Sequence, residues 1–247
     1  MKKTACLSLV CASLAAFAAE PDTTVDTGNQ MGVLKVTENK TNYLLVAVPW
    51  NELGTGNQAV SIETLVNPDQ LEAGDKLYVA AGNSYKVFKI ENNQWVACAT
   101  ATVTDGGVSE DTGNKPSDTT VTRGNAVWLH RQHPSLASSF YLLGQKPEAG
   151  AVTVEVAAGN NLVASPAVSG LDLSTWNGKN GDDDKYGCKT GDSIRINGND
   201  GTAKNYAYSE TKGWMLQTES GWQTTSDVIP AGQGFWYRAK NAGKLTF

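Results

Sequence analysis

The chain has 247 residues, 20 Lys and Arg against 25 Asp and Glu, and a formal net charge of −5. That acidity argues against a nucleic-acid backbone as partner. Beyond the first 20 residues, no apolar run is long enough for a transmembrane helix.

Residues 1–18 have the three parts of a secretory signal: Lys2 and Lys3, an apolar run over 7–17, and small residues at Ala16 and Ala18. Cleavage after Ala18 leaves 18 basic and 25 acidic side chains, a net charge of −7. The protein is therefore expected outside the cytoplasm, secreted, periplasmic or at the cell surface. Only Cys98 and Cys188 survive cleavage. An oxidising compartment lets them pair, and such a bridge is worth about 2–4 kcal/mol; two separate buried thiols are the alternative. Residues 19–30 read as a flexible N-terminal lead.

From there on the chain is a series of short β-prone runs. "GDKLYVAAG" (74–82), "SYKVFKI" (84–90), "QWVACATATV" (94–103) and "NAVWLHRQ" (125–132) are rich in β-branched and aromatic residues. Turn pairs bound them, including Gly74-Asp75, Asn92-Asn93 and Gly124-Asn125. Long helical apolar faces are absent. The pattern predicts an all-β fold of antiparallel sandwich or barrel-like type.

The second half rewrites the first. "LVAVP" (45–49) returns as "LVASP" (162–166), and "AGDKLYV" (73–79) as "TGDSIRI" (190–196). "YKVFKIENNQWV" (85–96) returns as "NYAYSETKGWML" (205–216), and "RGNAVWLHRQ" (123–132) as "AGQGFWYRAK" (231–240). The order is kept and the offset changes only at turns, so the chain reads as two homologous units in tandem, 31–146 and 150–247. With these motifs, above all "IPAGQGFWYRA" (229–239) and "NLVASP" (161–166), the chain resembles a family of uncharacterised exported bacterial proteins with paired β units. The resemblance implies export, β structure and duplication, and transfers no catalytic residue.

Two Asp-Thr-Gly triplets, at Asp26 and Asp111, raise the question of an aspartic peptidase, in which two carboxylates share one proton. The triplets are not repeat partners: Asp26 plus the offset of 117 is Leu143, and "QTESGWQTTSDVIP" (217–230), opposite Asp111, has no such triplet. Asp75 and Asp192 do match in the repeat, but each follows a Gly in a turn and is expected to bond local backbone.

Three further patterns invite chemistry. His130 and His133 are the only histidines; on a strand their spacing points them to opposite faces. Asn180, Asp182 and Asp184 alternate in "NGKNGDDDKYG" (177–187), a weak Ca²⁺ motif without the glycine and terminal glutamate of an EF-hand. Of seven tryptophans, Trp95 matches Trp214 and Trp128 matches Trp236, which marks them as core. Trp50, Trp176 and Trp222 have no partner and sit in polar turns, where they would stack on a sugar or peptide or else cap the units. The leading expectation is a secreted β-repeat protein that binds or structures extracellular material, such as a glycan or protein. The alternative is an aspartic-type endopeptidase acting on extracellular protein or mucin through Asp26 and Asp111. An outer-membrane barrel, suggested by the terminal Phe247, ranks behind both.

Overall fold

The computed structural model describes residues 31–247 apart from 38–41, 82–83, 99, 105–106, 112–114, 134–138, 148–150, 168, 182–184 and 198–201. The first 30 residues, with the expected signal and Asp26, lie outside the described residues, as do Asp182 and Asp184. What is described is all-β: antiparallel strands and one short α-helix, α1 (Ile62–Leu65).

The first half contributes β1 (Met31–Thr37), β2 (Tyr43–Ala47), β3 (Ala59–Ser61), β4 (Lys76–Ala81), β5 (Ser84–Glu91), β6 (Gln94–Ala97), β7 (Thr100–Thr104), β8 (Gly107–Asp111), β9 (Thr120–Thr122), β10 (Ala126–His130) and β11 (Ser139–Gln145). The second contributes β12 (Thr153–Val156), β13 (Gly159–Ala164), β14 (Leu171–Asp172), β15 (Ser193–Asn197), β16 (Ala203–Ser209), β17 (Gly213–Thr218), β18 (Gly221–Thr224), β19 (Val228–Ile229), β20 (Gly234–Ala239) and β21 (Gly243–Thr246).

The main sheet of the first half runs β2-β10-β4-β5-β6, and that of the second runs β13-β20-β15-β16-β17-β18. The repeated segments occupy the same places in the two orders, with β18 as an added edge. The smaller pairings match too: β1-β11 with β12-β21, and β3-β9 with β14-β19. Among the described residues the sheets are open, and none closes into a barrel.

Alternation sets the faces. In the first sheet Leu44, Val46, Leu77, Val79, Phe88, Ile90, Val127 and Leu129 point inward, against Val36, Phe140, Ile62 and Leu65 from β1, β11 and α1. The second core is built the same way but is more aromatic, with Tyr206, Tyr208, Trp214, Phe235 and Tyr237. The β5–β6 turn has Asn92 at φ 51° and Asn93 at φ 57°, the paired left-handed geometry of a two-residue hairpin, which asparagine tolerates.

The halves meet through a junction that repeats itself. Ala47 N donates to Gly232 O at 2.9 Å, and its sequence counterpart Ala164 N donates to Gly124 O at 2.9 Å. Val46 bridges Gln233, and Val163 bridges Asn125. Leu45, Ala47, Ala126, Leu162 and Ala164 form a small shared cluster between the sheets. Gly124 (φ 92°) and Gly232 (φ 79°) need positive φ to open their strands. A Cβ on Gly124 would meet Val154 at 2.5 Å, and one on Gly232 would meet Leu34 at 3.1 Å. In each half, then, the same turn presses against the other half's ribbon.

A cluster at the edge of the second core gives a pH prediction. Asp227 accepts from the Tyr206 hydroxyl at 2.6 Å and from Lys204 Nζ at 2.9 Å. The Tyr206 bond first, then Lys204, holds its carboxyl below the usual carboxylate range. A depressed folded pKa contributes stability above the unfolded value and loses it as pH falls through the folded one. Thermal unfolding of Asp227→Asn should therefore depend less steeply on pH below about 4 than that of the parent.

Candidate functional site

The repeat-matched carboxylates Asp75 and Asp192 are structural hubs. Asp75 is fully buried. It accepts from Glu72 N (2.9 Å), Gln132 N (2.7 Å) and Arg131 Nε (2.7 Å), the last a buried ion pair. Burial pushes its carboxyl up, and the Gln132 and Glu72 amides pull it back down. Asp192 accepts from Lys189 N (2.8 Å), Lys240 N (2.8 Å) and the Tyr237 hydroxyl (2.5 Å). The same two backbone clasps recur, but an arginine completes one hub and a tyrosine the other. Each carboxylate is saturated inside its own half, so the two do not share a proton. Asp111 ends β8 opposite Thr100; its distance from Asp26 lies outside the described residues.

Of the two alternatives for Cys98 and Cys188, bridge or separate thiols, the structure has the second: both are free. Cys98 follows the edge strand β6, while Cys188 is buried within the second core, so their surroundings are separate. Burial pushes the Cys188 thiol up to about 12; burial also raises Cys98, which stays half-exposed. In folded protein beginning at Ala19, a thiol reagent at pH 8 should modify Cys98 and spare Cys188 until denaturant is added. Equal labelling of both would show that the second core opens.

Asn180 is exposed, and the remainder of the Ca²⁺ motif, Asp182 and Asp184, lies outside the described residues. Among the described residues no cluster of His, Cys, Asp and Glu is placed to hold a metal. His130 packs on Tyr43 with ring centroids 4.4 Å apart, and burial lowers its pKa; His133 is exposed.

The unmatched tryptophans separate into two roles. Trp50 is only 7% exposed, and its Nε1 donates to Leu142 O on β11 at 3.3 Å. Trp176 is half-buried, and its Nε1 donates to Thr246 O on β21 at 2.8 Å. It stacks between Trp214 (5.9 Å) and Phe247 (5.0 Å). β11 and β21 are corresponding strands, so these indoles cap corresponding ribbons from unrelated sequence positions. As ligand-binding candidates Trp50 and Trp176 are therefore corrected to packing residues, because their faces are covered and their N–H groups bound. Trp222 alone of the three stands out in solvent, at 49% exposure on edge strand β18.

The duplicated tryptophans divide the other way. Trp95 and Trp214 are buried as expected; Trp95 Nε1 donates to Val66 O at 2.9 Å. Trp128 and Trp236 are only half-buried, because they point away from the cores, toward the junction. There they organise an aromatic band. Trp128 lies 5.0 Å from Tyr43, 5.7 Å from Tyr78, 6.3 Å from Tyr85 and 5.9 Å from Trp236. A cleft of about 530 Å³ opens where this band crosses from one half to the other. Tyr85 and Trp236 wall it, and Ser84, Asn125, Glu155 and Asn160 supply polar groups. A second groove, of about 190 Å³, uses the corresponding positions of the exchanged halves: Tyr43, Leu45, Asn197 and Gln233 stand where the first has Asn160, Leu162, Ala80 and Asn125. Sequence reasoning missed this site because it assigned Trp128 and Trp236 to the core. The signal was present in the alternation: Trp128 lies between inward-facing Val127 and Leu129, and Trp236 between Phe235 and Tyr237.

Compared with known proteins, the chain matches no family model, no curated protein and no solved structure. Among the described residues no helix is long and apolar enough to cross a membrane, which says nothing of strands.

Proposed function

We propose that this is an exported β-repeat protein that binds extracellular glycan in the cleft between its halves. The observation that carries this reading is the wall made by Tyr85 of the first half and Trp236 of the second, facing one polar-edged cleft. Flat aromatic faces suit the apolar faces of pyranose rings, while amide and carboxylate groups read hydroxyls. The volume falls in the range of small-ligand sites. Glu155 at the rim is ion-paired with Lys244 at 3.3 Å, which moderates its charge. The half-exposed aromatics support the reading because they are placed outside both hydrophobic cores and leave ring surface available.

The test is titration of neutral oligosaccharides, chitotriose and xylotriose first, followed by tryptophan emission and calorimetry. Binding should weaken about tenfold or more in Trp236→Ala and in Tyr85→Ala, the loss typical of an aromatic anchor. Tyr141→Ala, exposed away from the cleft, should bind as the parent does. Equal affinity in all three variants would overturn the reading.

A further inference from the structure

The outward face of the second sheet carries a row of side chains that the cleft does not use. Trp236 pairs in register with Arg195, and Arg195 with Asn205. The Tyr206–Leu216 pair puts Asn205 level with Gln217, which pairs with Trp222. The row Trp236–Arg195–Asn205–Gln217–Trp222 therefore crosses five strands at right angles to their direction. Adjacent strands lie about 4.8 Å apart, so the two tryptophans are about 19 Å apart, the span of a short oligosaccharide. Arg195, Gln217 and Trp222 are exposed, and Asn205 is half-exposed.

The charge of this face is opposite to that of the chain. Alternation places Arg195 and Arg238 outward on it, and no strand of the second sheet places a carboxylate there. The acids near the row in sequence are Asp192, turned inward to the Tyr237 hydroxyl, and Glu210 and Glu219, which sit in the β16–β17 and β17–β18 turns at the ends of the strands. A protein with net charge −5 thus presents a row of strands bearing two arginines and no carboxylate, bounded at both ends by tryptophan; the acid at the Trp236 end, Glu155 on the cleft rim, is paired with Lys244. The first sheet differs: Trp128, Tyr78 and Val87 hold the corresponding places, and among the described residues it has five strands and not six.

We propose that this row extends the cleft into a binding platform for a linear anionic glycan lying across the strands. One sugar stacks on Trp236 and another on Trp222. Asn205 and Gln217 bond hydroxyls between them, and Arg195 takes the acidic group, a carboxylate or a sulfate. The inference rests on the glycan reading of the cleft and adds chain length, direction and charge to it.

The experiment compares three hexasaccharides by calorimetry at low and moderate salt: hexagalacturonate, a chondroitin sulfate hexasaccharide and uncharged xylohexaose. The anionic chains should bind at least tenfold more tightly than xylohexaose at low salt, and that preference should shrink as salt rises. A preference for galacturonate identifies a carboxylate ligand, and one for chondroitin sulfate a sulfate ligand. Arg195→Gln should abolish the preference and leave xylohexaose binding unchanged. Trp222→Ala should weaken hexasaccharides about tenfold and leave trisaccharides untouched. Unchanged hexasaccharide binding in both Trp222→Ala and Arg195→Gln, with trisaccharide binding still lost in Trp236→Ala, would overturn the platform and keep the cleft. No binding of any saccharide by the parent would overturn both.

Discussion

Asp75→Asn should cost about 3–5 kcal/mol in urea unfolding at neutral pH, the penalty for breaking a buried ion pair from one side. The substitution keeps the shape of the hub but removes the charge from beside Arg131, which is buried at a distance of 2.7 Å. Asp192→Asn should cost less, about 1.5–3 kcal/mol, because its third donor is the neutral Tyr237 hydroxyl. The comparison is informative because the backbone bonds are the same in the two halves: two amides clasp each carboxylate. The difference between the two losses therefore reports the buried cation. Equal losses would mean that the clasp, and not the ion pair, sets the cost. The double variant Asp75→Asn with Arg131→Met should recover part of the Asp75→Asn loss, since no buried guanidinium is then left beside a neutral amide.

The second large effect is expected at Trp50. Trp50→Ala should destabilise by about 3–5 kcal/mol, as truncation of a buried aromatic does. Trp222→Ala should shift stability by less than about 0.5 kcal/mol, as an exposed substitution does. Both residues have the same sequence character, an unmatched tryptophan among turn residues, so the contrast isolates tertiary placement. Gly32 sharpens the test. A Cβ there would lie 2.5 Å from Trp50 Cδ2 and 2.6 Å from Trp50 Cε3, so Gly32→Ala should also destabilise. Adding it to Trp50→Ala should cost less than it does alone, because the atoms it would meet belong to the ring that Trp50→Ala removes. Simple additivity of the two losses, measured by thermal or urea unfolding, would show that the indole does not rest on this glycine.

Much of the strand plan was readable without coordinates. Period-2 alternation, the Asn92-Asn93 turn and the Gly-Asp turns are local signals, and they recur at matched places in the two sheets. The expectation that Asp75 and Asp192 bond nearby backbone was local as well, and their contacts with Glu72 and Lys189 follow it. The ion pair with Arg131 spans 56 residues and left no local mark. Nor did the fate of the tryptophans. Trp50 finds its acceptor 92 residues away and Trp176 finds one 70 residues away, so neither covered face was visible in its own stretch of chain.

What the sequence by itself determined is the class and the periodic design: β strands of alternating face, with turns where glycine and asparagine permit them. Those properties depend on residues close together in the chain, through dihedral preference and the pleat. What only the tertiary structure decided is which outward faces are covered. Leu45 and Leu162 are outward on their strands yet buried, because the sheets meet there; Arg195 and Trp222 are outward and remain in solvent. Alternation assigns a side chain to a face, but burial depends on what a distant segment places against that face, and for this reason the cleft, the platform and the unpaired cysteines emerged only with the fold.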